Sequence, residues 1–511
     1  MSESVLLLPR EAKVSPLHAF FKFARHALDM DELGLEIVQI AFPAALALTA
    51  DPLASLIDTA FIGQIGSVEL AAVGVSIAIF TQVSKVAIFP LVSVTTSFVA
   101  EEDAACRMTT EEPEKGDSGS ISIRDDMELV SHGASDKTWN GLSFWTGVRV
   151  KMDKYERKHI PSVSLALLTS GILGLLQAII FILGANPILN FMGLTHDSPM
   201  LAPARQYLRL RSIGAPAVLL SLAMQGIFRG FKDTKTPFYA TVAGDATNII
   251  LDPILMFVFH LGISGAALAH VISQYLTASI MLWRLIGQVD LLPPSIKTLQ
   301  FHRFLKMGLF LLVRGIALTC CMTLATSMAA QQGSIPMAAF QICFQIWLAT
   351  SLLADGLAIA GQAILASAFA RGDYYKASAA ASRVLQLGVI LGLFLAVILG
   401  VCLQFISRLF TEDGHVLQFI QTGIPFVAGT QPINALAFVF DGINYGASDF
   451  AYSAYSMFLV AMVSALCVVI LATSHGFVGI WIALTIYMSL RMVAGFWRIG
   501  STMGPWSSLR V

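Results

Sequence analysis

Leu70-Ala-Ala-Val-Gly-Val-Ser-Ile-Ala-Ile-Phe80 and Met337-Ala-Ala-Phe-Gln-Ile-Cys-Phe-Gln-Ile-Trp347 are two versions of one apolar helical segment. Gly66-Ser67 falls on Gly333-Ser334 at the same spacing. Further along each half, Gly226-x-x-x-Gly230-x-x-Asp233 returns as Gly442-x-x-x-Gly446-x-x-Asp449, and Gly262-x-x-Gly265 returns as Gly476-x-x-Gly479. Glycines and aspartates recurring at helix ends are harder to produce by chance than apolar similarity alone. The chain is therefore an internal repeat, and the question becomes what each copy contains.

Each copy contains spans. Of 511 residues 56% are hydrophobic and only 13% charged, with a mean hydropathy of +0.72, whereas soluble domains carry about a quarter charged residues. The apolar residues form about twelve blocks long enough to cross a hydrocarbon core of about 30 Å as helices. They run near 36–61, 69–99, 160–184, 206–228, 237–259, 263–286, 304–330, 337–369, 384–406, 419–443, 451–473 and 477–498. A single soluble core is excluded.

Lys and Arg occupy alternate connections. Arg149, Lys151, Lys154, Arg157 and Lys158 follow the second block, and Arg229, Lys232 and Lys235 the fourth. Lys297, Arg303 and Lys306 follow the sixth, and Arg371, Lys376 and Arg383 the eighth. The connections near 63–68, 260–264, 331–336 and 474–479 have none. The positive-inside rule then predicts both termini in the cytoplasm. Two six-span halves that both begin inside form a parallel repeat related by an axis along the membrane normal. The predicted fold is an all-α polytopic membrane protein with twelve transmembrane helices in two six-helix lobes. Lobes so related enclose a midplane cavity and rock about it, which favours alternating access over a pore.

The predicted organisation is a cytoplasmic tail at 1–35, an N-lobe at 36–286, a linker at 287–303, a C-lobe at 304–498 and a tail at 499–511. The N-terminal stretch holds acids and lacks a signal-peptide apolar core or the acid-poor character of a transit peptide. Residues 101–158 interrupt the N-lobe with acidic, Ser/Gly-rich sequence such as Glu111-Glu-Pro-Glu-Lys-Gly-Asp-Ser-Gly-Ser120. Such composition predicts a disordered loop, open to phosphorylation but equally a tolerated linker. Five of the six cysteines lie within apolar blocks and read as packing residues, not a disulfide framework.

Ionisable groups inside spans cost energy and mark function. Asp58 lies near the outer end of the first span, in Leu56-Ile-Asp-Thr-Ala-Phe-Ile-Gly63, and Asp252 closes Asp245-Ala-Thr-Asn-Ile-Ile-Leu-Asp-Pro253 in the fifth. Asn248 and Asp252 share a helical face. Two carboxylates and an amide meeting there would hold a proton or a small cation, against the plain alternative of helix capping or a structural ion pair. Asp51 and Asp245 are secondary candidates. Pro43, in Ala41-Phe-Pro-Ala-Ala45, removes a backbone bond mid-span and permits a bend, either a moving hinge or a fixed kink.

The second half differs. Arg314, in Leu311-Leu-Val-Arg-Gly-Ile316, sits deep in the seventh block. Its fork of donors suits carboxylates, and an ion pair across helices is the competing explanation. Lys85, in Thr81-Gln-Val-Ser-Lys-Val86, is a second cationic candidate. Arg205, Arg209 and Arg211 at the start of the fourth span read as interfacial anchors, with anion steering as the alternative. His270 in the sixth span is either a proton relay or a packing residue. No phosphate-binding G-x-x-x-x-G-K-[ST] loop, H-E-x-x-H or G-x-S-x-G occurs, so an ATP-driven pump and the matching enzymes are not indicated. Secondary transport remains, with no enzymatic activity, no cofactor, no metal and no nucleic-acid partner predicted.

Asp58-Thr-Ala-Phe-Ile-Gly63 with Glu69-Leu-Ala-Ala72, Gln225-Gly-Ile-Phe-Arg-Gly230, Asn248-x-x-x-Asp252-Pro and Gly262-x-x-Gly265-Ala resemble signatures of the multidrug and toxic compound extrusion (MATE) family. The resemblance covers nearly everything but the N-terminal tail, the 101–158 insertion and the last dozen residues. It implies export driven by H+ or Na+, with a cation site matched here by Pro43, Asp58, Asn248 and Asp252. Where drug-exporting branches carry acids in the seventh and tenth spans, Leu318 and Asn434 align. Leu91-Val-Ser-Val-Thr-Thr-Ser-Phe-Val-Ala-Glu-Glu-Asp103 followed by the long loop resembles the plant subgroup that exports citrate. The expectation is a monomeric, plasma-membrane, H+-coupled exporter of citrate or a similar carboxylate, with substrate held by Arg314 and Lys85. An exporter of cationic drugs or secondary metabolites, an anion channel, a lipid-linked flippase and a membrane scaffold are the rivals.

Overall fold

The computed structural model describes residues 31–111, 160–191, 198–290, 301–410, 414–501 and 503–509. The first half comprises α1 (Glu32–Gly63), α2 (Ser67–Glu111), α3 (Pro161–Phe191), α4 (Leu201–Ser212), α5 (Ala215–Gly230), α6 (Lys235–Pro253) and α7 (Ile263–Ile286). The second comprises α8 (Phe301–Gln331), α9 (Ser334–Ala370), α10 (Tyr374–Phe410), α11 (Gly414–Gly429), α12 (Gln431–Gly446) and α13 (Phe450–Gly500). Among the described residues, eight helices are long and apolar enough to cross a membrane, and the bent pairs α4–α5 and α11–α12 raise this to ten. The 45-residue α2 adds a crossing, and α13 supplies two because it breaks at Gly476. Twelve crossings result, in two six-span lobes.

The repeat is a repeat of geometry. The fourth and tenth spans bend by 51° and 48° at matching places. Gly262 and Gly476 begin the sixth and twelfth spans with nearly identical dihedrals, φ 55°, ψ −134° and φ 58°, ψ −133°, a conformation open mainly to glycine. The Gly-x-x-x-Gly repeat serves close helix approach. A Cβ on Gly226 would lie 2.8 Å from the Val92 carbonyl oxygen of α2, and one on Gly442 would strike the equivalent Ala358 carbonyl of α9. In a bilayer, where lipid is as apolar as leucine, such small-residue contacts are a main source of helix association.

The first span of each half belongs to both lobes. Ile37 and Ile40 of α1 are buried in a C-lobe core with Ile364, Leu385 and Phe440, while its outer end reaches the N-lobe acids. Phe304 and Leu311 of α8 enter an N-lobe core with Phe98 and Phe228, and its far end, through Cys321 and Ala325, enters the C-lobe core. The lobes close on each other at the end carrying Glu32 and Gly500. There Pro90–Ala100 of α2 and Gly356–Ala366 of α9 are buried without interruption, whereas burial is mixed toward their other ends. Gln362 Nε2 donates to the Ser93 carbonyl at 2.8 Å, and Ser97 Oγ to the Tyr445 carbonyl at 2.8 Å. Glu36 binds Lys232 at 2.7 Å and Lys376 of the other lobe at 3.0 Å.

One boundary is corrected. Residues 101–111, expected to open a disordered loop, continue α2. Their acids have partners: Asp103 binds Arg107 at 2.9 Å, Glu102 accepts from Ser162, and Glu101 takes Arg303 at 3.4 Å and the Ser448 hydroxyl. The remaining insertion, 112–159, lies outside the described residues. The expected C-terminal tail contains a short 3-10 helix, Gly504–Leu509, whose Trp506 is fully buried against Phe369, ring centroids 5.4 Å apart.

Candidate functional site

The N-lobe cluster forms where α1 and α6 meet. Asn248 Nδ2 donates to Asp58 Oδ1 at 2.7 Å and leans toward Asp252 Oδ2 at 3.5 Å. The Asp252 carboxyl faces that of Asp58 at hydrogen-bonding range. Asp252 and Asn248 are buried and Asp58 is half-buried. The local sequence explains the placement. Asn248 and Asp252 are one helical turn apart, and Pro253 ends the regular helix, which widens into a π-turn at Ile254–Val258; such turns are frequent at functional sites. Asp252 Oδ1 and Asn248 Oδ1 are buried with no hydrogen-bond partner among the described residues. A hydrogen bond between two carboxyl groups needs a proton, and the spare oxygens suit a small cation equally.

Arg211 completes this cluster and corrects its reading as an interfacial anchor. It is buried, 9% exposed, and close enough to act electrostatically on both Asp58 and Asp252. Its Nη1 donates to the Tyr207 hydroxyl at 2.9 Å, and its guanidinium lies 5.1 Å from the Phe80 ring centroid. It lies in the last turn of α4, just ahead of the bend into α5, and its side chain faces inward, which span-end position alone does not reveal. His270 is half-buried on α7 within the field of Arg211. Asp245 is half-buried on α6, a turn ahead of Asn248. Pro43 lies inside α1, and a Cβ on Gly356 of α9 would come within 2.7 Å of Ala45 Cβ, so the C-lobe is butted against the proline turn. Asp51 on α1 and Lys85 on α2 have side chains outside the described part of the structure.

In the C-lobe, Arg314 of α8 is not alone. Its Nη2 binds Asp441 Oδ2 at 2.5 Å, and Arg491 of α13 binds the same oxygen at 2.5 Å. Arg314 stacks over Tyr445 at 5.3 Å, and Arg491 over Phe438 at 5.1 Å. Asp355 of α9 stands within the field of Arg229, Arg314 and Arg491. A cleft beside the triad is lined by Arg314, Asp441, Asn444, Ser453, Ser456 and Arg491. Asn434 lies apart from this lining; its amide reaches Thr430 Oγ1 at 3.5 Å, which also accepts from Trp347 Nε1 at 3.1 Å. The C-lobe thus does hold acids, but not at Leu318 or Asn434, and both face arginines. The cost that marks Arg314 marks Asp355, Asp441 and Arg491 equally; their convergence from separate spans is what one-dimensional spacing does not supply.

Two repeat-related lobes, closed at one end and each holding a cluster of buried ionisable groups, define a multi-pass membrane transporter. A family model for MatE matches residues 156–254 and 311–473. "Protein DETOXIFICATION 42" of Arabidopsis thaliana is 61% identical over 97% of this chain and 97% of its own length. "Protein DETOXIFICATION 43" of the same plant is 54% identical over 98% and 96%. A solved structure described as "Crystal structure of MATE in the bent conformation" superposes with TM-score 0.75, covering 96% of this chain and 98% of the other at 18% identity, a likeness of fold. The chain belongs to the MATE family of extrusion transporters.

Proposed function

We propose that this transporter exports citrate or a similar organic carboxylate across the plasma membrane by alternating access, as a monomer, against an inward flow of H+. The observation that carries the reading is the C-lobe cluster: two buried arginines share the Asp441 carboxylate, and with Arg229 and Asp355 in the same field three arginines face two acids, a surplus positive charge in a low-dielectric site. Such a site attracts anions and disfavours organic cations. In this reading Arg314 holds the substrate, Lys85 assists, and Asp58, Asn248 and Asp252 hold the coupling proton. Na+ at the same oxygens is the alternative ion. Asp51, Asp245, His270 and Asn434 are auxiliary candidates.

The positive-inside assignment makes the closed end cytoplasmic, so the lobes face outward. A proton reaching Asp58 and Asp252 from outside removes the charge that Arg211 and Asn248 satisfy. The outer half of α1 then repacks while its inner half stays in the C-lobe core through Ile37 and Ile40, and Pro43 takes up the difference. The membrane potential aids export of an anion by about 2.3 kcal/mol per charge per 100 mV.

The test is labelled citrate efflux from preloaded oocytes, comparing wild type, Asp58→Asn and Arg314→Ala at acidic and neutral external pH. Expected is loss of efflux in Arg314→Ala and loss of its pH dependence in Asp58→Asn. Surface-expressed wild type that moves no citrate would overturn the substrate and return the question to cationic compounds. A fluorescent fusion outside the plasma membrane would overturn the location.

A further inference from the structure

Resting on the carboxylate reading above, we propose that Asp441 is a built-in counter-anion, occupying the arginine pair that otherwise grips a carboxylate of the cargo. Arg491 then becomes the second cargo ligand beside Arg314. Four observations carry this.

The ion pairing is uneven. A purely structural set in a membrane interior gives each charge its own contact partner; here two guanidiniums converge on the single atom Oδ2 of Asp441, while Asp355 acts on them at longer range and most strongly on Arg229. The arginines are the more buried partners. Their side chains are 6% and 4% exposed against 20% for Asp441, so the acid stands on the wetter side of the cluster. A donor is also left over, since Arg491 Nε is buried with no hydrogen-bond partner among the described residues. A carboxylate bound in the bidentate manner uses Nε and Nη together. Finally, the cleft beside the triad offers the Ser453 and Ser456 hydroxyls and the Asn444 amide, which suit further carboxylates or a hydroxyl on the same ligand. The ligand class is a di- or tricarboxylate.

With the lobes closed at their terminal end, Asp441 satisfies the arginines and occupies the contact that a cargo carboxylate would take. Cargo arriving in the opposite state must displace Asp441. The empty carrier resets with its arginines neutralised in part, and released cargo is not rebound. Asp441 therefore lowers the affinity for cargo in this state by competing with the substrate it resembles.

The test uses purified full-length protein in detergent, with labelled citrate as the binding probe and acetate as a small carboxylate. Asp441→Asn is expected to bind citrate at least tenfold more tightly than wild type, and Asp441→Asn/Arg491→Ala to lose that gain. Asp441→Ala is expected to gain thermal stability saturably from acetate, as wild type does not. Folded Asp441→Asn that binds citrate no more tightly than wild type, or a gain that survives Arg491→Ala, overturns the proposal. Failure of both Asp441 variants to fold also overturns it, since the triad is then structural. Parallel efflux assays separate the two readings. Wild type that exports no citrate while Asp441→Asn gains binding defeats only the transport reading, whereas wild-type efflux without a gain in Asp441→Asn defeats only the counter-anion.

Discussion

Asp252 and Arg314 are the two residues on which the chemistry turns, and they respond differently to truncation. Asp252 is buried with a free Oδ1, so Asp252→Asn keeps shape and hydrogen-bonding capacity while removing the titratable group. Its thermal stability is expected to stay within about 1 kcal/mol of wild type, while substrate efflux loses its dependence on external pH. Arg314→Ala leaves Arg491 and Asp441 as a matched pair. Asp441→Ala instead removes the contact partner of two buried arginines at once, a loss of the kind that costs about 3–5 kcal/mol. Thermal unfolding in detergent should therefore rank Asp441→Ala well below Arg314→Ala, and equal losses would contradict the shared-oxygen geometry. Asp58, Asp252 and Arg314 were readable in the chain, because a charge within an apolar block is conspicuous. Arg211 was not, since a position at a span end does not say whether the side chain turns in or out.

At the scale of elements, the helices that begin each lobe are long and shared. α1 runs 32 residues and α8 runs 31, and each is anchored in the opposite lobe at one end. Pro43 sits between the C-lobe anchor and the N-lobe acids of α1. Pro43→Ala restores the missing backbone bond and stiffens that stretch. Expression and fold should persist while efflux turnover falls several-fold; unchanged turnover would mean a fixed kink. The turns before the sixth and twelfth spans are set by glycine. Gly262→Ala and Gly476→Ala each force an L-residue to φ near 55° with ψ near −134°, a region essentially reserved for glycine and costing about 1–3 kcal/mol, and melting temperatures of both should fall similarly. Both motifs are plain in the sequence, but their jobs differ. The Gly226 and Gly442 pair exists for close packing and the Gly262 and Gly476 pair for backbone conformation, and spacing does not distinguish these uses.

For the whole molecule, the closed end is held by polar ties as well as apolar packing. Glu36 joins Lys232 to Lys376, Arg383 reaches Asp31 at 2.8 Å, and Glu101 binds Arg303 and Ser448. Ion pairs of this exposure contribute about 0–1 kcal/mol each. Glu36→Gln with Glu101→Gln should therefore move the equilibrium between the two access states by several-fold without unfolding either lobe. Spin-label distances across the closed end, from α2 to α12, should show a longer population in the double variant. An unchanged distribution would mean that apolar contacts alone hold the closure.

The sequence by itself determined the membrane class, the two-lobe repeat, the span count and the acids of the first and fifth spans. Each follows from local rules: apolar length against bilayer thickness, alternation of Lys and Arg between connections, and recurrence of glycine and aspartate at helix ends. The α2 extension through Glu111 escaped because its stability comes from partners far along the chain, among them Ser162, Arg303 and Ser448. The same holds for the triad. Arg314, Asp441 and Arg491 lie on the seventh, tenth and twelfth spans, and only packing of those spans brings two cations onto one oxygen. Tertiary structure decided which buried charges meet, because helix faces are read from periodicity but their neighbours are fixed by how the lobes pack.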